Sequence, residues 1–234
     1  MKYFVTGTDT DSGKTLVTSA LLYKMSQNQA YERTLGLKPV ASGCEQTEIG
    51  LRNSDALALI EESSIKLDYD LVNPISFLPG IAPHIAASQV GVDISPGALL
   101  AKIQLSLAAA ELNHNDVCLI EGAGGWRLPL GGGHFLSELV QALDMPVILV
   151  VGVKLGCLNH AVLTHEAIIA DGLTVAGWVA NIVEPQTSCL DENLASLFQL
   201  MPSPCLGVVP YLSEVTAKAA AEHLSLATLV PSTI

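Results

Sequence analysis

The chain has 234 residues, half of them apolar, with 23 acidic against 11 basic side chains and a formal net charge of -12. So apolar a chain buries enough surface to offset its ordering entropy, which excludes disorder, and so negative a charge disfavours generic binding to nucleic acid or anionic membrane. Its longest strongly apolar run, near residues 147–153, falls far short of the roughly 18–20 residues of a spanning helix.

Short apolar runs alternate with longer helix-like stretches along the whole chain. Residues 3–6, 35–40, 117–120, 147–151, 175–180 and 206–209 read as strands. They lack polar alternation, as expected of parallel strands covered on both faces. Residues 14–28, 53–62, 97–112, 135–143, 159–170 and 190–200 read as helices, and Ala108–Glu111 and Ala219–Glu222 have strong helix propensity. Asn53 or Ser54 suits the N-cap of the second of these. The alternation predicts one α/β domain, residues 1–234, with a mostly parallel sheet. Residues 68–96, carrying Pro74, Pro79, Pro83 and Pro96, read as a long irregular excursion, and the tail 226–234 as docked or frayed. No basic-then-apolar leader is expected, since residues 1–6 run straight into a glycine turn. A soluble, cytosolic protein follows. The five scattered cysteines, never in a CxxC pair, argue against a disulfide framework or a zinc site.

Between the first strand and the first helix stands Gly7-Thr8-Asp9-Thr10-Asp11-Ser12-Gly13-Lys14-Thr15. A glycine turn there aims successive N–H groups at one spot, and the helix N-terminus adds its dipole, so the loop favours phosphate. Lys14 is placed to reach the β- and γ-phosphates and Thr15 to ligate Mg²⁺. Five residues separate Gly7 from Gly13, where the usual loop has four.

Ligands of an open parallel sheet sit beyond the carboxyl ends of its strands, which directs attention to Lys38–Gly43, Glu121–Gly125, Gly152–Gly156, Asn181 and Pro210. Glu121, directly after an apolar run, stands where a P-loop enzyme keeps a metal-binding carboxylate. Asp55 reads equally as a second Mg²⁺ contact or as a charge favouring a helix N-terminus. Lysine seldom sits within an apolar strand-turn unless paired or used, so Lys38 is read with Lys14 as part of a cationic pocket around transferring phosphate. Lys154 reads as an interface or surface charge, and His84 and His160 as packing or hydrogen-bonding residues.

These segments, together with Asn53-Ser54-Asp55-Ala56, Pro83-His84 and residues 151–160, resemble dethiobiotin synthetase in order over residues 3–211. The resemblance also accounts for the extra loop residue. It implies a three-layer P-loop NTPase-like fold and an ATP- and Mg²⁺-dependent enzyme. That enzyme would insert CO2 between the two amines of 7,8-diaminononanoate, through a carbamate and a carbamic-phosphoric anhydride. Carried over residue by residue, the resemblance places Asp11, Ser12, Gly13, Lys14, Thr15 and Leu16 on the ATP phosphates. Thr15, Asp55 and Glu121 are placed around Mg²⁺, and Gly122, Ala123 and Gly124 at the nucleotide. Lys38 is implied as the catalytic lysine, with Lys14 beside it. Thr10 and Ser42 are implied to contact the diamine or its carbamate, and Asn181, Pro210, Tyr211, Leu212 and Glu214 the adenine and nearby groups. A homodimer is also implied, with the substrate carboxylate near a partner helix N-terminus matching Gly156, Cys157, Leu158 and Asn159. No role attaches to Trp126–Gly133 or to the tail.

Two other readings stand beside this one, the first of them with the same fold. A nucleotide-switched positioning ATPase would carry a second lysine early in the phosphate loop, and no basic residue precedes Lys14 there. An amidotransferase-type synthetase would need a glutaminase domain as its ammonia source, for which this chain has no room.

Overall fold

The computed structural model describes residues 1–229. Six strands form one parallel sheet: β1 (Lys2–Gly7), β2 (Thr34–Leu37), β3 (Val117–Gly125), β4 (Val147–Val153), β5 (Val175–Ile182) and β6 (Cys205–Val209). Their order is β6-β5-β4-β1-β3-β2, which puts β1 inside the sheet between β3 and β4.

Side chains along a strand point alternately to the two faces, and here both faces are apolar. Phe4, Cys118, Ile120, Leu149 and Val151 belong to one core, while Tyr3, Val5, Leu119, Ile148 and Val150 belong to the other. Among the described residues, eight helices longer than a single turn follow in chain order: α1 (Lys14–Ser26), α2 (Ser54–Glu62), α3 (Pro83–Val90), α4 (Pro96–Ala110), α5 (Leu136–Leu143), α6 (Cys157–Ala170), α7 (Leu190–Leu200) and α8 (Ala217–Ala221). Helices α4 to α7 supply the first core and α1 and α8 the second, giving three layers. No described helix is long and apolar enough to cross a membrane. All five cysteines are free.

The six expected strands are therefore the six strands of the sheet, with one correction. Residues 35–40 are not one strand. The β2 ladder stops at Leu37, where Lys38 N–H donates to Val72 O at 2.8 Å and Pro39 has no N–H to continue it. The chain resumes as Val40–Ser42 in a separate parallel pair with Ile75–Phe77. Residues 68–96 are likewise more ordered than expected. They hold a helical turn, Tyr69–Val72, the strand Ile75–Phe77 and helix α3. Pro83 suits the first turn of α3, where no N–H is required. Of the tail, Leu226 and Leu229 are buried, and Leu229 O accepts from Tyr3 and Tyr31 hydroxyls at 3.0 Å each. Residues 230–234 lie outside the described region.

Candidate active site

The phosphate loop is held at both ends. Thr8 N–H donates to Val150 O at 2.9 Å and Thr8 Oγ1 accepts from Gly152 N–H at 3.3 Å, tying its start to β4. At its end, Asn181 Nδ2 donates to Ser12 O at 3.0 Å. Gly13, the residue before α1, has φ +84°, and a Cβ there would lie 2.0 Å from Asn181 Nδ2. Both the backbone angle and the contact require glycine. Lys14 turns back across the loop and donates to Asp9 O at 2.9 Å. Burial, followed by the neighbouring Lys38 charge, lowers the Lys14 pKa to about 8.

The break after β2 brings Lys38 to the same place. Its Nζ lies 2.5 Å from Glu121 Oε1, 3.0 Å from Asp55 Oδ2 and 3.1 Å from Gly122 O, which occupies all three ammonium donors. The backbone behind it is clamped by Asn73, whose Nδ2 donates to Lys38 O at 2.6 Å. Burial acts to lower the Lys38 pKa, but Glu121 and Asp55 together outweigh it and raise it. Glu121 is fully buried on β3. Its Oε1 also accepts from Thr15 Oγ1 at 2.8 Å, and its Oε2 has no hydrogen-bond partner. Asp55 stands in the first turn of α2, which Asn53 caps by accepting from Ala56 N–H. Thr15, Asp55 and Glu121 thus converge, although they lie far apart in the chain.

These groups line an open cleft of about 580 Å³, which also takes in Thr10, Asp11, Gly13, Ser42, Ala123 and Gly124. Ser42 Oγ is buried there without a hydrogen-bond partner. Ser12 is buried within the loop, and Leu16 packs against the second core beneath it. Gly122 is buried beside Lys38. Other candidate residues lie elsewhere. Asn181 braces the phosphate loop and does not line the cleft. Pro210, Tyr211, Leu212 and Glu214 form the loop after β6, with Tyr211 exposed. Gly156 precedes α6 with φ +93°, Cys157 is buried, Leu158 is half-buried, and Asn159 is exposed. Lys154 Nζ lies 4.0 Å from Asp9 Oδ2, a solvent-facing pair beside the phosphate loop.

Two carboxylates and a hydroxyl suit a hard divalent cation, and the orphaned, buried Glu121 Oε2 is an acceptor available to one. No cluster of three His, Cys, Asp or Glu able to hold a metal occurs among the described residues, so phosphate and water would complete such a shell.

Asn73 was not legible as a site residue, because its contact to Lys38 spans 35 positions and matches no motif. The same is true of Asp171, which accepts from Trp126 and Arg127 across more than 40 positions. A buried lysine needing a fixed backbone was the one available hint at the first.

Comparison with known proteins bears on this geometry. A family profile described as an AAA domain matches residues 1–219. Among solved structures, a ParA family ATPase from Chlorobium tepidum superposes with TM-score 0.52 at 14% identity, covering 99% of this chain and 93% of the other. The septum site-determining protein MinD from Pyrococcus horikoshii, complexed with Mg-ADP, gives 0.54 at 17%, covering 100% and 90%. At such identities these share the fold alone, a P-loop α/β fold. An ATP-dependent dethiobiotin synthetase BioD of Pseudomonas aeruginosa is 53% identical over 224 residues, 96% of each chain. One from Cellvibrio japonicus is 52% identical over 97% of each. The chain therefore belongs to the ATP-dependent dethiobiotin synthetase family and is an ATP-dependent ligase.

Proposed function

We propose that this chain closes the ureido ring of dethiobiotin from 7,8-diaminononanoate and CO2 with Mg-ATP. The observation that carries the reading is the convergence of Lys14, Lys38, Thr15, Asp55 and Glu121 on one cleft, in a chain about half identical to relatives bearing that name.

One amine of the diamine adds to CO2, forming a C–N bond and losing a proton, to give a carbamate. The carbamate oxygen takes the γ-phosphoryl group of ATP and ADP leaves. The second amine then attacks the carbonyl carbon, the C–O bond to phosphate breaks, and phosphate and a proton depart. Phosphorylation is needed because a carbamate is a poor electrophile until its oxygen becomes a leaving group.

The residues fit these tasks. Backbone N–H groups of Ser12 to Leu16 and the dipole of α1 receive the nucleotide phosphates, and Lys14 adds its charge to them. Lys38 stabilises the carbamate and the transferring phosphoryl group. Its buried setting makes that charge stronger than it would be in water. Thr15, Asp55 and Glu121 would hold Mg²⁺, which when bound neutralises charge building on the phosphates. Thr10 and Ser42 contact the diamine, and the unpartnered Ser42 Oγ supports that role. Asn181, Pro210, Tyr211, Leu212 and Glu214 flank the nucleoside. The enzyme acts as a cytoplasmic homodimer, with the substrate carboxylate received near the N-terminus of the partner's α6 around Gly156 to Asn159. A helix N-terminus suits an anion.

The test is transfer of labelled CO2 into an organic product, dependent on both ATP and the diamine. ATP hydrolysis stimulated by DNA or lipid and indifferent to the diamine would favour a positioning ATPase instead. Growth of a biotin-requiring strain on dethiobiotin but not on the diamine, corrected by this chain, separates the reading from synthetases acting on other carboxylates.

A further inference from the structure

Beyond Gly124, which the resemblance places at the nucleotide, the segment that follows Glu121 carries no role so far, yet it forms a wall of the cleft. Gly124 and Leu128 line the 580 Å³ cleft and, with Thr10, also line a second one of about 430 Å³ on the α6 side. The same segment packs on the start of the phosphate loop. A Cβ on Gly125 would lie 3.5 Å from Thr8 O and 3.6 Å from Gly7 O. Its position therefore sets the width of the space between the phosphate loop and any substrate beside Thr10.

One side chain from a distant element holds this segment. Asp171 Oδ2 accepts from Trp126 Nε1 at 2.7 Å and from Arg127 Nη1 at 2.7 Å, while its Oδ1 accepts from Arg127 Nη2 at 2.9 Å. Arg127 Nη1 also reaches Ser137 Oγ at 2.8 Å, and Gln141 Nε2 donates to Asp171 O at 3.1 Å. Trp126 is buried, standing edge-on to Phe4 of β1 with ring centroids 6.4 Å apart. A buried indole N–H requires an acceptor, and a two-point arginine–carboxylate pair fixes orientation as well as distance.

Asp171 is, moreover, a poor choice for its own helix. It caps the C-terminal end of α6, where the helix dipole disfavours a negative charge. That cost is offset across the gap, by Arg127 and Trp126, and not within the helix. The carboxylate serves the loop.

We infer that Asp171 is a positioning residue for the diamine: by latching Trp126 and Arg127 it holds Gly124 and Leu128 as the rigid wall against which the diamine is seated. The inference rests on the proposed function for the identity of the substrate and on the geometry alone for the latch.

Asp171→Ala should raise the KM for the diamine by about tenfold, less than the roughly 100-fold that a 1 Å misplacement of reacting groups can cost. Affinity for ADP, titrated without diamine, should change far less than the diamine KM, because the phosphate loop keeps its ties to β4 and Asn181. Arg127→Lys, which keeps the charge but loses the two-point geometry, should fall between. Amide hydrogen exchange over residues 124–128 should accelerate in Asp171→Ala. If the exchange accelerates and the diamine KM stays put, or if ADP affinity falls in step with it, the positioning role is overturned. Unchanged exchange overturns the latch itself. Asp171→Asn, of the same shape, carries the same reading should the alanine variant not fold. A wild-type enzyme inert toward the diamine would sink the proposed substrate, and the exchange result would still decide the latch.

Discussion

Lys14 in the phosphate loop and Lys38 at the break after β2 share a cleft and are both buried, yet their surroundings push them in opposite directions. Lys14 has a backbone carbonyl as its hydrogen-bond partner and a second cation nearby, so burial prevails and its pKa falls to about 8. Lys38 is more deeply enclosed but touches two carboxylates, so its charge is held. Burial by itself therefore does not say what a lysine will do; the partners supplied by other elements decide. One lysine is poised to gain from an arriving anion, and the other is a fixed charge.

The largest expected effect separates them in kinetics. Lys38→Ala should lower kcat by about 100- to 1,000-fold, the usual consequence of removing a preorganised charge from a transition state, with little change in nucleotide KM. Lys14→Ala should raise nucleotide KM as well. Steady-state rates over an ATP series distinguish the two. Retention of wild-type turnover by Lys38→Ala would remove it from catalysis.

Next in size is a stability effect confined to the Lys38 side. Glu121→Ala leaves a buried ammonium with only the half-exposed Asp55 as counter-ion, and should cost about 3 kcal/mol of folding stability. Denaturant unfolding monitored by circular dichroism measures it. A loss below that of an exposed ion pair would mean that Lys38 had found another partner.

On the Lys14 side the effects are smaller. Asn181→Ala removes the bond to Ser12 O and should cost about 1 kcal/mol, seen as a lower Tm and weaker ADP binding. Gly13→Ala should weaken ADP binding further, because it adds both a clash and a strained backbone angle. Equal ADP affinities for the two variants would argue against a tight loop.

The smallest effect is in pH. The Lys14 pKa is lowered on folding, so the unfolded chain binds more protons between about 8 and the ordinary lysine value, and stability should rise with pH across that window. Nucleotide affinity should move the other way. Bound phosphate favours charged Lys14, so affinity falls as pH rises through 8 and binding takes up a proton. Calorimetry at pH 9 in two buffers of different ionisation enthalpy reads the uptake directly. An uptake surviving in Lys14→Ala would reassign it.

Much of the fold was written in local pattern. Runs such as 147–151 and 175–180 are apolar without alternation because both faces of the sheet are covered, and the intervening helices are long enough to reveal themselves. Asn53 capping α2 and Gly13 before α1 follow from side-chain and backbone chemistry that acts within four residues. Residues 35–40 misled because apolarity does not report a change of sheet; the signal lay in Lys38-Pro39, where the ladder lost its donor. The strand Ile75–Phe77 has three residues, too few to show any period.

The net charge takes on a different meaning beside the candidate site. A net charge of -12 describes the whole surface and disfavours polyanions, whereas the candidate site gathers Lys14, Lys38 and helix N–H groups in one cleft. Composition, periodicity and the glycine-lysine-threonine turn were enough for an α/β class with a mostly parallel sheet and for the phosphate loop, and they pointed to Lys38 and Glu121 at strand ends, while Asp55 stayed open until the resemblance. Those properties depend on neighbours in sequence. Which carboxylates meet Lys38, that Asn181 braces Ser12, and that Asp171 holds Trp126 depend on strand order and on helix placement over many tens of residues. No spacing along the chain encodes such contacts, because packing of the whole sheet must first bring them together.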